Sequence, residues 1–587
     1  MADHAIHRPL TRRDEIRMLE VSPASQHSPS PLQCTFRHIS LQDDKKCDYE
    51  TISYYWGDQT LSSFIMVDDQ VLSVPANTEK ALRRMAFADA TRVLWIDAVC
   101  INQSDLTERS EQVQLMGRVF SSSAGNLIYF GDEHEYTACA MSTLQEMHKD
   151  IVEICTKLSN VDRLFGQKGW QHCQGPMQTD INVEALKAFY NNAWFRRLWP
   201  VQELVLARKS LLHQGQHIIN FRVVIDVAAW MLSYYKSYTN SMHVADGLYN
   251  AAWMRWFYQA HRQSRAPQIQ HITVGNQELE VCDGRDRIYG MLGMAHPNGI
   301  VPDLLAPDYA KSLAAVFRDA CLYVIKQEGS AIPLKLLRHR SADDLTDYEY
   351  PSWVYRVHGA RDELHDPLHE LPPFRYQVSS PLSGSPLDRI VDRNILPLDR
   401  RQLDTIHSLS GFLTKRRELF LVEISKFVIS HDLLAEQTCG LRRIARTLVA
   451  NGQYAQADNG VQVQADFEAF LGPMLPDGRS EEAVTLNAFT VTMQQAADRF
   501  TNISMNFCVN RQIMLTSQGH IGICPKICIP GDIVVLLSMA PLTVVPRPVD
   551  DHYFMIGECY LDGAFDNDGN PGELELDHLE EKVFEIH

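Results

Sequence analysis

Residues 92–101 read RVLWIDAVCI, and Asp97 is the one carboxylate in an otherwise apolar stretch. A carboxylate surrounded by apolar side chains loses its hydration, so it needs hydrogen-bond donors or a cation nearby. Asn102 and Arg109 are the candidates within the same motif. Such a carboxyl either braces the fold or takes part in chemistry, and the pattern alone leaves both open. Arg109 falls in the first turn of a helix expected over residues 105–121. Ser104 or Asp105 can cap that helix, and Glu108 and Glu111 suit the positive end of its dipole. A cation is unfavourable there, so Arg109 is expected to be held by a specific partner, with Asp97 proposed for that role. Cys100 has no His in the same motif and reads as a buried thiol rather than a nucleophile.

Other chemistry-bearing patterns are absent or broken. The sequence contains no G-x-x-x-x-G-K-[ST], G-x-G-x-x-G or G-x-S-x-G motif. Cys524 and Cys528 have no second Cys/His pair at zinc spacing, and buried free thiols are expected. His365 and His369 would share a helix face, but Pro367 between them interrupts that helix. In residues 562–572 (DGAFDNDGNPG), Pro571 takes the place of a calcium loop's turn glycine, and Asp577 that of its final Glu. That stretch reads as an acidic turn, and no metal site is expected.

The elements that must position Asp97 alternate in type. Residues 49–55 are a β-type run, and a helix is expected from Pro75, Asn77 and Thr78 through Ala88. An apolar strand over 92–101 follows, then the helix over 105–121 with Val113, Met116, Val119 and Phe120 at helical spacing. Residues 126–130 form a short strand, 183–207 a helix and 210–213 a possible strand. Strands alternating with helices argue for a parallel α/β sheet, whose ligands sit at the carboxyl ends of its strands. Five segments result: an N-terminal extension over 1–48, the α/β core over 49–215 and a helical region over 216–340. A Pro- and Asp-rich connector with helices covers 341–500, and a small β subdomain with an acidic tail covers 501–587. The last rests on short apolar runs separated by Gly519 and Pro530-Gly531-Asp532.

Composition narrows the function classes. The 587 residues include 55 Lys+Arg and 73 Asp+Glu, a formal charge of −18 that disfavours binding to nucleic acid. Arg196, Arg197, Arg208 and Lys209 cluster locally and read as solvated surface. The longest apolar run, residues 533–545, is too short to span a membrane and carries Ser538 and Pro541. The polar, basic start of the chain does not read as a signal peptide. Thirteen scattered Cys suit reduced thiols and a cytoplasmic location.

Four blocks resemble the fungal heterokaryon incompatibility (HET) domain. They are Ile52 to Gly57 (ISYYWG); Leu94 to Gln103 (LWIDAVCINQ); Glu108-Arg109 with Glu111, Gln112, Val113 and Met116; and Phe195 to Leu204 (FRRLWPVQEL). Tyr55 departs from the residue the family often carries before Trp-Gly. Arg285 to Gly293 (RDRIYGMLG), Pro351-Ser352-Trp353, and the C-terminal run from Thr516 to Tyr560 resemble segments found beyond that domain in such proteins. The resemblance implies an effector of fungal non-self recognition and programmed cell death. Its implied partners are other incompatibility proteins or further copies of the chain. HET domains are remotely similar to TIR domains, which implies a flavodoxin-like sheet.

Some TIR domains cleave NAD with a Glu in a Trp-Cys-x-x-Glu-Leu context. Trp199, Glu203 and Leu204 share that frame, while Pro200 and Gln202 differ from it. The resemblance thus implies Glu203 as the catalytic carboxylate, with Asp97 as second choice. A carboxylate near the ribose would stabilise an oxocarbenium-like state, and NAD would be a substrate rather than a resident cofactor. Ser53, Trp56 and Arg109 are the candidate ligand contacts. Each has a plainer reading: close strand packing for Ser53, core packing for Trp56 and Trp95, and for Glu203 an exposed helix position paired with Arg197 or Arg208. A death effector without chemistry of its own, an NAD-cleaving enzyme and a regulatory or scaffold protein are the three functions that remain.

Overall fold

The computed structural model describes residues 6–25, 30–42, 48–157, 180–234, 246–270, 279–297, 299–356, 392–414, 416–431, 433, 439–449, 461–471, 487–537, 542–564 and 581–587. Residues 1–313 and 314–587 form two compact units.

The first unit is built on a nine-stranded mixed sheet. Its strands are β1 (Glu15–Val21), β2 (Gln33–Ser40), β3 (Glu50–Tyr54), β4 (Ser63–Val67), β5 (Gln70–Val74), β6 (Arg92–Trp95), β7 (Asn126–Tyr129), β8 (Ser210–Gln214) and β9 (His217–Asn220). They lie in the order β5-β4-β2-β1-β6-β3-β7-β8-β9. The centre, β6-β3-β7-β8, is parallel throughout. Numbered along the chain, that quartet reads second, first, third, fourth. Its strands have the unbroken apolar character of strands covered on both faces: all of β7 and four of the five residues of β3 are buried. Antiparallel strands flank the quartet on both sides. The β4–β5 hairpin turns through Asp68 and Asp69, both at positive φ, as a tight hairpin requires and as Asp tolerates.

Three features differ from the pattern read in the sequence. Residues 15–40, assigned there to an extension, supply β1 and β2, and Arg17 of β1 is buried against Glu108. The strand over 92–101 stops at Trp95, and α2 (Asp97–Cys100) begins at once, after α1 (Ala76–Met85). Asp97 favours that turn by accepting a hydrogen bond from Ala98 N at 2.8 Å. The helix over 183–207 is three pieces. After α3 (Leu106–Ser122) and α4 (Thr137–Lys157) come α5 (Val183–Tyr190), a 3₁₀ turn over Ala193–Arg196 and α6 (Trp199–Leu206). Asn192 caps the 3₁₀ turn and Pro200 opens α6, so Asn-Asn and Pro break what hydrophobic spacing alone joins. Two further helices, α7 (Phe221–Tyr234) and α8 (Asp246–Arg262), pack against each other.

The second unit joins helices to an eight-stranded sheet. Residues 396–409, placed in the segment of connector and helices, form instead the long strand β10 (Leu396–Leu409). Its DRRQ core hides the strand alternation, because Arg400 and Asp404 occupy buried positions. Strands β13 (Ile533–Leu537), β14 (Thr543–Val549), β15 (His552–Glu558) and β17 (Glu581–Ile586) join β10 in a ring closed by the β10–β13 pairing. β11 (Arg511–Thr516), β12 (Ile521–Pro525) and β16 (Tyr560–Leu561) continue the sheet from β10. The helices Arg417–Ser430, Cys439–Leu448, Val461–Leu471 and Asn487–Cys508 share a core that includes Phe420, Phe467 and Phe500 with Ile513 and Ile523. Asp532 and Arg547 staple the ring through two hydrogen bonds of 2.8 and 2.9 Å. Trp353 is fully buried and donates to Asn394 O at 2.9 Å. Cys524 and Cys528 are buried free thiols. His365, His369, Pro367 and residues 565–577 lie outside the described residues.

Candidate functional site

The carboxyl ends of β3 and β6 carry the sequence-expected residues to one place. Beyond β3, the chain turns through Tyr55, Trp56 and Gly57, with Gly57 at φ +67°. A Cβ on Gly57 would stand 2.7 Å from Asn77 Nδ2, whose amide donates to Tyr55 O at 3.1 Å. That close approach, together with the positive φ, requires glycine. Trp56 then reaches back across the sheet, and its indole N–H donates to Asp97 Oδ2 at 3.1 Å. Asp97 stands just past the end of β6, partly exposed, and Gln103 Nε2 donates to its carbonyl at 3.0 Å.

Glu203 approaches from α6. It is 3% exposed, which removes the reading of an exposed helix residue. Its Oε2 is buried without a hydrogen-bond partner. Burial raises the Glu203 pKa to about 7; the Arg197 guanidinium offsets part of this, the Asp97 charge adds to it, and the Ser53 hydroxyl lowers it. Burial likewise raises Asp97, opposed first by Arg197. Ser53 in β3 accepts from the indole N–H of the buried Trp194 at 2.9 Å. Arg197 donates to the carbonyl of Tyr54. Two carboxyls, one guanidinium, one hydroxyl and the Trp56 ring therefore share the ends of the parallel strands. Arg197 sits in the second of the two breaks between α5 and α6, just past the 3₁₀ turn.

Arg109 does not belong to the set. It lies 3.8 Å from Asp283 and stacks over the Tyr309 ring at 3.9 Å, so the expected Asp97 partnership is replaced by residues some 170 or more positions away. Trp95 is core, edge-on to Phe120. Cys100 is fully buried, and burial pushes its thiol up to about 12, which leaves it unreactive. Glu108, read as a dipole partner, forms a two-pronged ion pair with Arg17 and accepts from Asn102 N at 2.7 Å. Asp105 is the cap of α3.

Two contributors were not assigned to the site from sequence. Arg197 was grouped with a solvated basic cluster, although its place two residues before Trp199 in the FRRLWPVQEL block already tied it to Glu203. Trp194 carried no motif signal. The RDRIYGMLG segment turns out to hold α6 in position. Asp286 accepts from Trp199 Nε1 at 3.1 Å and from Tyr309 OH at 2.6 Å. Gly293 N donates to Gln202 Oε1 at 2.8 Å.

A buried carboxyl poised near neutrality can exchange a proton or, once ionised, stabilise positive charge. The mixed sheet with its parallel centre defines the first unit as an α/β domain. Residues 49–203 match the family described as Heterokaryon incompatibility protein (HET), and residues 453–579 match the Het-6 beta-barrel domain. The closed ring also uses Leu396–Leu409, ahead of that second match. The chain is similar to "Heterokaryon incompatibility protein 6, OR allele" of Neurospora crassa, with 23% identity covering 94% of each chain. No solved structure matches it significantly. Residues 49–203 of the chain are therefore a heterokaryon incompatibility (HET) domain. No helix among the described residues is long and apolar enough to cross a membrane.

Proposed function

We propose that this protein is an effector of fungal non-self recognition and cell death, and that its HET domain acts by hydrolysing NAD at the nicotinamide glycosidic bond. In that step the C1′–N bond breaks, and its electron pair leaves with nicotinamide. Water adds at C1′ and gives up a proton, and ADP-ribose is the second product. Nicotinamide leaves as a neutral base, so no general acid is needed. Ionised Glu203 would face the positive charge developing on the ribose and can take the proton from water. Arg197 would keep enough of Glu203 ionised for this role, and the half-buried Trp56 offers a ring face to the base.

The observation that carries the reading is the buried Glu203 carboxyl, whose Oε2 has no hydrogen-bond partner, set with Asp97 and Arg197 at the carboxyl ends of parallel strands. The second-first-third-fourth order of those strands is the one doubly wound, flavodoxin-like sheets use, and such sheets bind ligands at that end. The test is NAD consumption by the purified full chain, wild type against Glu203→Gln. Turnover by the wild type that falls about 10²–10³-fold in the variant supports it. Absence of turnover in both discards the enzyme. The effector would then act through contacts with other incompatibility proteins or with its own copies, and growth arrest on overexpression in a fungal host would survive Glu203→Gln.

A further inference from the structure

The nine-stranded sheet of the first unit ends on β5, and among the described residues no strand pairs with its outer side. The two-residue turn pairs Val67 with Gln70, and the β4–β5 register then runs without a bulge to Ser63 and Val74. In such a hairpin the pair flanking the turn exchanges hydrogen bonds, and bonded and non-bonded pairs alternate from there. Gln70, Leu72 and Val74 therefore turn their N–H and C=O groups inward to β4, while Val71 and Ser73 turn theirs outward. Both outward residues are exposed, Val71 at 58%. Edge strands are commonly guarded by Lys, Pro, a bulge or an inward charge, and the QVLSV of β5 carries none of these. Phe64 of β4, 47% exposed, lies opposite Ser73 on the same face as Val71 and adds apolar surface there.

This edge is complementary to itself. When two copies of β5 meet antiparallel about Leu72, Val71 of each faces Ser73 of the other, and the outward groups of both pairs exchange N–H···O bonds. Leu72 then meets Leu72 and Gln70 meets Val74, so the inner-face residues stay on one face, which a one-residue slip would not allow. The same register carries Asp69 to Pro75 of the second copy. Pro75 starts α1 without a side-chain cap, and Asp69 is exposed. A carboxylate thus approaches the positive end of a helix dipole that its own chain leaves uncapped. Glu79, the acid in the first turn of α1, is paired with Arg83 at 2.6 Å. β9 at the opposite edge is built differently: it has four residues, His217 lies 3.2 Å from Glu133, and Asn220 accepts from Arg222 N. Pairing β5 with β9 would also propagate as an open chain, whereas β5 with β5 closes at two copies.

We infer that the HET domain pairs with a second copy of itself through β5, antiparallel about Leu72, and so extends its sheet across a two-fold axis. A five-residue edge makes a small interface, so the dimer is weak and depends on concentration. The inference is independent of Glu203 and of any reaction at the candidate site.

Sedimentation of the full chain over a concentration series tests this, and a monomer–dimer equilibrium is expected. Ser73→Pro removes one outward donor from each copy and leaves the bonds between β4 and β5 in place. It should weaken dimerisation about tenfold or more. Asp69→Asn keeps the positive-φ turn, because Asn tolerates that region as Asp does, and should weaken dimerisation about three- to tenfold. The two variants act by different means, so Asp69→Asn carries the test should Ser73→Pro lower the thermal midpoint. Ile218→Lys on β9 should leave the equilibrium unchanged. A monomer at every concentration, growth beyond the dimer, a dimer insensitive to Asp69→Asn and Ser73→Pro alike, or one abolished by Ile218→Lys overturns the inference.

Discussion

Arg17 and Arg400 are both fully buried, one in each unit, and the two units treat the charge in opposite ways. Arg17 makes five hydrogen bonds with its five N–H groups. Nε and Nη2 donate to the Arg8 carbonyl, Nη1 to the Cys100 carbonyl, and Nη1 and Nη2 to the two oxygens of Glu108. Arg400 has no hydrogen-bond partner on Nε, Nη1 or Nη2. It lies against the rings of Phe584 and Tyr553, 4.5 Å from the centre of the latter, and those two rings stack on each other at 4.1 Å. Burial pulls the Arg400 guanidinium down from its usual range. Ring faces return about 1–2 kcal/mol to a desolvated cation, less than a full set of hydrogen bonds to charge and carbonyl provides. A buried charge thus braces the fold where partners are complete, and burdens it where they are not.

The comparison breaks most readily at Glu108. Glu108→Gln leaves Arg17 charged and buried opposite a neutral group, and should cost the first unit about 3–5 kcal/mol in denaturant unfolding. A loss under 1 kcal/mol would show that the carbonyls alone satisfy Arg17.

Glu203 sharpens the same point through pH. Its folded pKa of about 7 lies above the ordinary carboxyl value. Between about pH 4.5 and 7 the folded state holds a proton that the unfolded state has released. Wild-type stability therefore falls as pH rises through that window, and the full penalty is present above it. Glu203→Gln never carries the charge. The variant should be more stable than wild type by on the order of 1–3 kcal/mol at pH 8, with the gap closing as pH falls to 4.5. A gap independent of pH would refute the assignment.

The smallest effect belongs to Arg400. Arg400→Met keeps the apolar volume against Phe584 and Tyr553 and removes the unpaired cation. Melting should stay level or improve by about 1 kcal/mol. A loss above 2 kcal/mol would mean that the ring contacts outweigh desolvation.

The central strands were legible because strands covered on both faces have no polar face to disguise. NLIY and the ISY end of β3 announce themselves as short, largely apolar runs with no alternating polar face. β1 and β2 were missed because Arg17 and the charged residues of β2 resemble surface until the Glu108 pair is known. β10 was missed for the same reason, with Arg400 and Asp404 on the inside. At the site, Asp97, Glu203, Ser53 and Trp56 were all named from blocks of sequence. Their convergence follows from parallel strands, whose carboxyl ends face one way. Arg109 was misassigned because nearness along the chain stood in for nearness in space, and its real partners, Asp283 and Tyr309, lie far downstream.

The sequence by itself determined that a carboxylate would be stranded among apolar residues, that strands and helices would alternate, and that the chain would carry the HET blocks. Those are local properties of composition and spacing. Only the tertiary structure decided which cation answers that carboxylate, and that Glu203 is desolvated rather than exposed. A partner's identity depends on which surfaces the folded chain brings within a few ångströms, and a linear pattern holds no measure of that distance.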